Sequence, residues 1–180
     1  MKNFLHSISV IVLFLLPFGV FAQGNEFTMP FSDVPANVYF YTPVRTGLER
    51  NIINSGTTFN PSNALTRAEY TDWVIKALAV PEITIGAPSF SDVPQSFPQY
   101  RSIETAKKLG IVSGMSDKDG NPTGQFLPNK TLNRAEAAVI LMRSFQNVTV
   151  VDEASFPDLD SVAWAAVEIK KSAKVKFFKG

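Results

Sequence analysis

The amino-acid sequence predicts a mainly α-helical bundle built from repeats that are joined by long loops. Three observations support this fold class: a short motif recurs along the chain, apolar residues recur at helical spacing after it, and capping signatures precede two of the helices. One repeat of about 55 residues cannot cover the apolar face of its own helix. The second helices of successive repeats should therefore pack on one another.

Residues 1–22 have the layout of a secretory signal peptide. Lys2 precedes an apolar run over residues 10–16, and a small-residue cleavage site ends at Ala22. Pro17 interrupts the run, which is shorter than the roughly 20 apolar residues of a membrane span. We therefore predict export with cleavage after Ala22, no membrane span in the mature chain, and a short linker over residues 23–30.

The composition of the mature chain excludes several classes of function. Removal of 22 of the 180 residues leaves 158, with 16 basic and 16 acidic side chains, a balance that gives no support for nucleic-acid binding. There is no cysteine, and the single histidine, His6, lies in the predicted signal peptide. A Ser-His-Asp or Cys-His nucleophile and an ordinary zinc site are therefore excluded. The sequence points to no cofactor, no metal and no catalytic residue.

The opening motif marks three repeats. FSDVP stands at residues 31–35 and again at 90–94, and a weaker copy, FPDL, stands at 156–159. The chain stops where the third loop and second helix would follow, so we expect a fragment of a longer protein or a truncated reading frame. The repeats are assigned to residues 31–80, residues 81–147 with a loop insertion, and residues 148–180, which are incomplete.

Each repeat should contain a first helix, a short extended piece, a loop and a second helix. Gly110 in repeat 2 and Asn51 in repeat 1 suit the left-handed position that ends the first helix. Gly56 and Gly114, with Gly180 in repeat 3, are predicted to take a positive φ in the turn that follows. From this glycine to the arginine of the second helix there are 11 residues in repeat 1 and 20 in repeat 2, so repeat 2 carries nine extra residues.

The second helices begin with capping boxes. Thr66 with Glu69, and Asn133 with Glu136, have the spacing in which each side chain bonds the other residue's backbone N–H. Apolar residues then follow at helical spacing, which predicts one apolar face for each helix. These positions are Tyr70, Trp73, Val74, Ala77 and Leu78 in repeat 1, and they are mirrored by Ala137, Ile140, Leu141, Ser144 and Phe145 in repeat 2.

These motifs, in this order and spacing, resemble the S-layer homology domain family. The resemblance rests on the FSDVP opening, the isoleucine-rich piece that ends at a glycine, and the TRAE or NRAE helix start, and it covers about residues 31–180. It implies a pseudo-threefold bundle, here with a truncated third repeat. Grooves between the repeats of this family bind secondary cell-wall polysaccharide, often through a pyruvylated sugar. The implied function is a noncatalytic anchor, exported to the cell wall or envelope.

Arg67 and Arg134 are the leading ligand-binding candidates. Each stands in the first turn of a helix, where the helix dipole disfavours a cation. A guanidinium beside free helix-start N–H groups would make a receptor for a carboxylate or phosphate. The resemblance implies that this arginine contacts the acidic sugar. The alternative is an arginine paired with an aspartate or laid over an aromatic ring. Further ligand contacts are proposed for Thr66, Asn133, Gly56, Gly114 and Trp164.

Other polar residues are given structural roles. Glu69 and Glu136 are explained as helix caps, and Asp33, Asp92 and Asp158 are expected to satisfy backbone donors as caps before the first helices. Tyr39 and Tyr100 stand near the position of Trp164, where an aromatic ring can stack on a sugar or join the core. Asp117, Asp119 and Asn121 resemble the start of a calcium loop. Prolines at 122 and 128 replace the glycine and glutamate that such a loop requires, so a solvated turn is predicted.

Two other functions stay open from the sequence. An enzyme acting on cell-wall glycans would need two carboxylates about 5 to 10 Å apart in one pocket. A self-associating envelope or S-layer protein would instead present an apolar outer patch as its largest interaction feature.

Overall fold

The computed structural model describes residues 27–81, 86–145 and 164–174. The predicted signal peptide, Asp158 and Gly180 lie outside these residues. The described part is mainly helical, as the sequence predicts, with no strand beyond two isolated β-bridges. None of its helices has the length and apolar character required to cross a bilayer. The helices are α1 (Tyr41–Glu49), α2 (Arg67–Leu78), α3 (Tyr100–Lys108), α4 (Arg134–Ser144) and α5 (Ala166–Lys174).

In repeats 1 and 2, the aspartates of the opening motif satisfy backbone donors, as predicted, but these donors lie in a loop and not at the start of the first helices. The N-cap residues of α1 and α3 receive no capping bond from a side chain. Instead, Asp33 accepts hydrogen bonds from the N–H groups of Phe59 and Asn60, both at 2.7 Å. Asp92 accepts two loop amides of repeat 2 in the same way, both at 2.8 Å. Each carboxylate thus ties the start of its repeat to the loop before the second helix, where backbone donors need partners.

The turn predictions are confirmed at three positions and wrong at one. Asn51, Gly110 and Gly114 have φ values of 55°, 72° and 84°. Gly56 is not among the described residues with positive φ. Loops of different length follow Gly56 and Gly114, so the chain leaves the two glycines by different paths.

The helices pack mainly across the repeat boundaries. Helix α2 of repeat 1 packs on α3 of repeat 2, and α4 of repeat 2 packs on α5. The second helices α2 and α4 also contact each other, as the repeat argument predicts. A buried cluster joins α2, α3 and α4, and a smaller one surrounds Phe31, Val34 and Val44 at the start of repeat 1. Repeat 2 is therefore covered by one helix that precedes it in the sequence, α2, and by one that follows it, α5.

Helix α2 is buried on more than the single face that its apolar spacing predicts. Ala77 is exposed, whereas Thr71 and Asp72 are buried. The hydroxyl of Thr71 donates to the carbonyl of Arg67 at 2.8 Å, and Asp72 accepts from the Ser102 hydroxyl at 2.5 Å. At the end of α4, the C-cap residue Phe145, which the sequence predicts to lie on the apolar face, is 40 % exposed. Contacts with two neighbouring helices explain why polar side chains of α2 are buried while an apolar position is not.

Candidate functional site

Two cavities lie beside the second helices at equivalent places in the two repeats. Groove 1, of about 590 Å³, is lined by side chains from residues 31–73 and by Gln99. Groove 2, of about 830 Å³, is lined by Arg67, by side chains from residues 111–143, and by Trp164. The capping residues Thr66 and Glu69 line groove 1, and their counterparts Asn133 and Glu136 line groove 2. Each groove therefore contains the start of its own repeat's second helix.

The charges of the two grooves are opposite. Among the described residues, no basic side chain lines groove 1, whereas Glu69 and Asp72 do. Groove 2 has four basic lining residues and two acidic ones. The basic residues are Arg67, Lys118, Lys130 and Arg143, and the acidic residues are Asp117 and Glu136. An anionic ligand is therefore favoured in groove 2 over groove 1.

Arg67 reaches groove 2 from the first turn of α2. The residue is only 8 % exposed, and its guanidinium lies 4.7 Å from the centroid of the Phe126 ring. Its Nε has no hydrogen-bond partner within the described part of the chain. Burial lowers the pKa of Arg67, and the nearby charge of Glu136 opposes this effect. Since an arginine stays protonated in proteins, groove 2 contains a buried cation with an unused donor.

The backbone at the start of α2 cannot receive a ligand, so the prediction of free helix-start amides is wrong for this helix. The N–H groups of Arg67 and Ala68 donate to the carbonyls of Lys130 and Pro128, at 2.9 and 3.0 Å. The N–H of Glu69 donates to the Thr66 hydroxyl at 3.2 Å. The loop of repeat 2 thus occupies the helix end, and only the side chain of Arg67 is left to bind an anion.

Both second helices begin with complete capping boxes. In repeat 2, Glu136 also accepts a hydrogen bond from Lys130 Nζ at 2.6 Å. Burial by itself would raise the pKa of Glu136. That pKa nevertheless lies below its ordinary value, because Glu136 accepts hydrogen bonds from Lys130 and from the Asn133 N–H. The positive charges of Lys130 and Arg67 lower it further.

The carboxylates of groove 2 are poorly suited to general acid catalysis. Asp117 accepts hydrogen bonds from the N–H groups of Asn121 and Asp119, and the bond from Asn121 is the main cause that lowers its pKa. The pKa of Glu136 is lowered as well. A glycosidase acid needs a raised pKa so that it holds a proton at neutral pH. The groove can bind an anion, but its acids are held ionised.

Four of the predicted ligand contacts line groove 2 together: Arg67, Gly114, Asn133 and Trp164. Trp164 is 58 % exposed, so its ring is open to a ligand. Thr66 lines groove 1 instead. Gly56 and Arg134 line neither groove.

The tyrosines considered for sugar stacking lie elsewhere. Tyr100 is 6 % exposed within the core, and its hydroxyl donates to the Gly86 carbonyl at 3.1 Å. Tyr39 is 93 % exposed and lines neither groove. Stacking by Tyr100 is therefore excluded by its burial.

Sequence reasoning missed three of the basic residues in groove 2. Arg143 could have been found, because Glu136, Ile140 and Arg143 are spaced by four and three residues and share one face of α4. Lys130 and Lys118 lie in loops and carry no periodic signal. Their place in the groove depends on loop conformation, which the spacing of motifs does not reveal.

Comparison with known proteins gives one family. The model described as S-layer homology domain matches residues 30–71, 89–118 and 119–138, just over half of the chain. The chain is 31% identical to a cell surface protein of Thermoanaerobacter kivui over 89% of its own length, and 27% identical to an endoglucanase of Bacillus sp. (strain KSM-635) over 87%. It is 28% identical to the S-layer protein sap of Bacillus anthracis over 74%. The matched parts are 20%, 17% and 16% of these relatives, so the chain spans a fifth or less of their length.

Proposed function

The chain belongs to the S-layer homology domain family, and on that premise we propose that it anchors an exported protein by holding an anionic cell-wall polysaccharide in groove 2. Its place is the cell surface, in contact with the cell wall. The anchor acts by binding alone and performs no reaction.

The observation that carries this proposal is the buried guanidinium of Arg67 in the lining of groove 2, whose Nε has no hydrogen-bond partner among the described residues. A buried polar group without a partner costs the folded chain free energy, on the order of 1–3 kcal/mol and more for a charged group. A carboxylate or phosphate in groove 2 would pair with the charge of this guanidinium and offset part of the cost. The net positive lining of groove 2 supports the same class of ligand.

Three neighbours of Arg67 have supporting roles. Trp164 offers an exposed aromatic face on which a sugar ring can stack. Asn133 lies at the groove edge as a helix cap, and Gly114 lines the groove with its backbone.

Arg134 is the repeat counterpart of Arg67, and we propose a second binding position for it between repeats 2 and 3. A polysaccharide repeats its charged groups along its length. Two weak positions on one chain would therefore raise the overall affinity without either being tight. The pseudo-threefold bundle belongs to this same proposal, because it would place equivalent grooves around one axis.

A glycan hydrolase is the weaker alternative. The carboxylates that share groove 2 have lowered pKa values, and those of groove 1 are engaged by Thr66, Ser102 and Lys76. The name endoglucanase belongs to a relative of which the chain matches 17%. That activity is therefore not transferred to this chain.

Cosedimentation with purified cell walls of the source bacterium tests the proposal. The full chain is compared with Arg67→Met, which keeps an apolar side chain of similar length, with Arg134→Met, and with Arg50→Met as a control outside both grooves. We expect Arg67→Met to bind at least about tenfold more weakly, since a hydrogen bond to a charged group contributes about 1.5–3 kcal/mol. Arg50→Met should bind as the wild type does.

Two results would contradict the anchor. Folded wild type that stays in the supernatant with every wall preparation excludes wall binding. Sedimentation that requires no wall, and that rises with protein concentration in an analytical ultracentrifuge, would instead support self-association.

A further inference from the structure

The nine extra residues of repeat 2 lie in a hairpin-shaped loop over residues 115–125, which we call the hairpin. The N–H of Met115 donates to the Gln125 carbonyl at 2.8 Å, and the N–H of Thr123 donates to the Met115 carbonyl at 2.9 Å. An antiparallel bridge joins Ser116 and Pro122. In repeat 1, only two residues separate the equivalent glycine and phenylalanine. The hairpin is therefore a structural element that repeat 1 lacks.

The tip of the hairpin presents a cation. Both oxygens of Asp117 are used inside the turn, where they accept from Asp119 and from the backbone and side chain of Asn121 at 2.9 to 3.3 Å. The next residue, Lys118, is exposed and lines groove 2. Its side chain forms no ion pair within the described residues.

The four cations of groove 2 are therefore not equivalent. Lys130 is paired with Glu136 at 2.6 Å, and Arg143 with Glu168 at 3.3 Å. Arg67 on α2 and Lys118 on the hairpin are the two lining cations without such a partner in the described part of the chain. They come from different structural elements, so the groove offers two separate positions for negative charge.

We propose that the hairpin is a specificity-determining wall of groove 2 and that Lys118 binds a second anionic group of the same polysaccharide segment. This inference rests on the proposed function. The cavity of about 830 Å³ lies in the range of roughly 300–1,000 Å³ in which proteins hold drug-sized ligands. Groove 2 then selects a segment with at least two charged groups over a segment with one. Groove 1, without a hairpin and without a basic lining residue among the described residues, has no such selectivity.

Titration calorimetry with two size classes of wall-polysaccharide fragments tests the inference. One class carries a single acidic group and the other carries two. The full chain is compared with Lys118→Gln, with a deletion of residues 116–124 that leaves the loop length of repeat 1, and with Lys108→Gln as a control on exposed α3 surface. We expect the wild type and Lys108→Gln to prefer the doubly charged fragment by about fivefold, the scale of an exposed charge contact.

Lys118→Gln and the deletion should lose this preference while their affinity for the singly charged fragment stays within about twofold. If the deletion variant does not fold, Lys118→Gln decides the question alone. An unchanged preference in Lys118→Gln would overturn the role of the hairpin and leave the anchor in place. Wild type that binds neither fragment would overturn the proposed function, and this inference with it.

Discussion

The guanidinium of Arg67 lies 4.7 Å from the ring centroid of Phe126, which brings the second helix of repeat 1 over the loop of repeat 2. Phe126 is completely buried, and Arg67 is 8 % exposed. The contact joins two repeats, and its arginine also lines groove 2. The two alternatives raised by the sequence for this arginine, a ring contact and a ligand contact, are therefore compatible.

Arg67→Met should separate stability from binding. The substitution removes a buried cation whose Nε has no partner among the described residues, but it also loses a cation–π contact of about 0.5–2 kcal/mol. We expect the two effects to cancel within about 1 kcal/mol, because buried charges are often replaced by apolar side chains at little cost. Urea denaturation measures the free energy of unfolding. A loss of more than about 2 kcal/mol would assign Arg67 a structural role.

Asp92→Asn should destabilise the chain, and Asp92 does not line groove 2. The carboxylate accepts the N–H groups of Phe126 and Leu127, both at 2.8 Å. An asparagine keeps one acceptor and turns a donor toward the other amide, so the free energy of unfolding should fall by about 1–3 kcal/mol. Thermal unfolding of Asp92→Asn beside Ser91→Ala, an exposed neighbour, checks this. Equal midpoints for the two variants would contradict it.

Thr66→Ala should weaken α2 and leave binding in groove 2 unchanged. Its hydroxyl caps the Glu69 N–H at 3.2 Å, and Thr66 lines groove 1. Loss of such a cap costs about 1 kcal/mol, whereas Thr66→Ser keeps it. Chemical denaturation and wall cosedimentation of both variants test the two halves of the prediction. Wall binding that falls for Thr66→Ala but not for Thr66→Ser, with stability unchanged, would contradict the prediction and assign the Thr66 hydroxyl a role in binding.

Three glycine-to-alanine substitutions should lower the stability of the folded chain by different amounts. At Gly114, where φ is 84°, an added Cβ would lie 2.7 Å from the Phe90 ring and 2.9 Å from the Gln125 carbonyl oxygen. Gly124 has φ of 73° but open space, and Gly56 has neither constraint. Left-handed strain costs about 1–2 kcal/mol, and overpacking adds about 1–3 kcal/mol at Gly114. Unfolding midpoints should therefore fall most for Gly114→Ala, less for Gly124→Ala, and least for Gly56→Ala.

Acid should remove a stabilising contribution from Glu136. Its folded-state pKa lies below the ordinary value of 4.5, so the contribution is complete above about that pH and is lost as the pH falls through the lowered pKa. The stability difference between wild type and Glu136→Gln should therefore be larger at pH 7 than at pH 3. Denaturation curves at both values of pH measure it. A difference that does not change with pH would mean that the pKa of Glu136 is the same in the folded and unfolded chains.

Sequence alone predicted the elements that depend on local chemistry. The capping pairs, which start at Thr66 and Asn133, occur in the structure as complete boxes, because a cap and its partner are only three residues apart. The left-handed ends at Asn51 and Gly110 follow from the few residue types that accept a positive φ. The repeat itself identified the family, and three of the candidates for the site, Gly114, Asn133 and Trp164, do line one groove with Arg67.

Only the tertiary structure decided which groups remain available in that groove. Lys130 and Pro128 supply the carbonyls that occupy the start of α2, and a folded hairpin brings Lys118 into the groove lining. The burial of Thr71 and the exposure of Ala77 likewise follow from the helices packed around α2. The physical reason is one of distance along the chain. Caps and turns form between residues a few positions apart, whereas the partners that use up a donor or bury a side chain come from other repeats, 30 or more residues away.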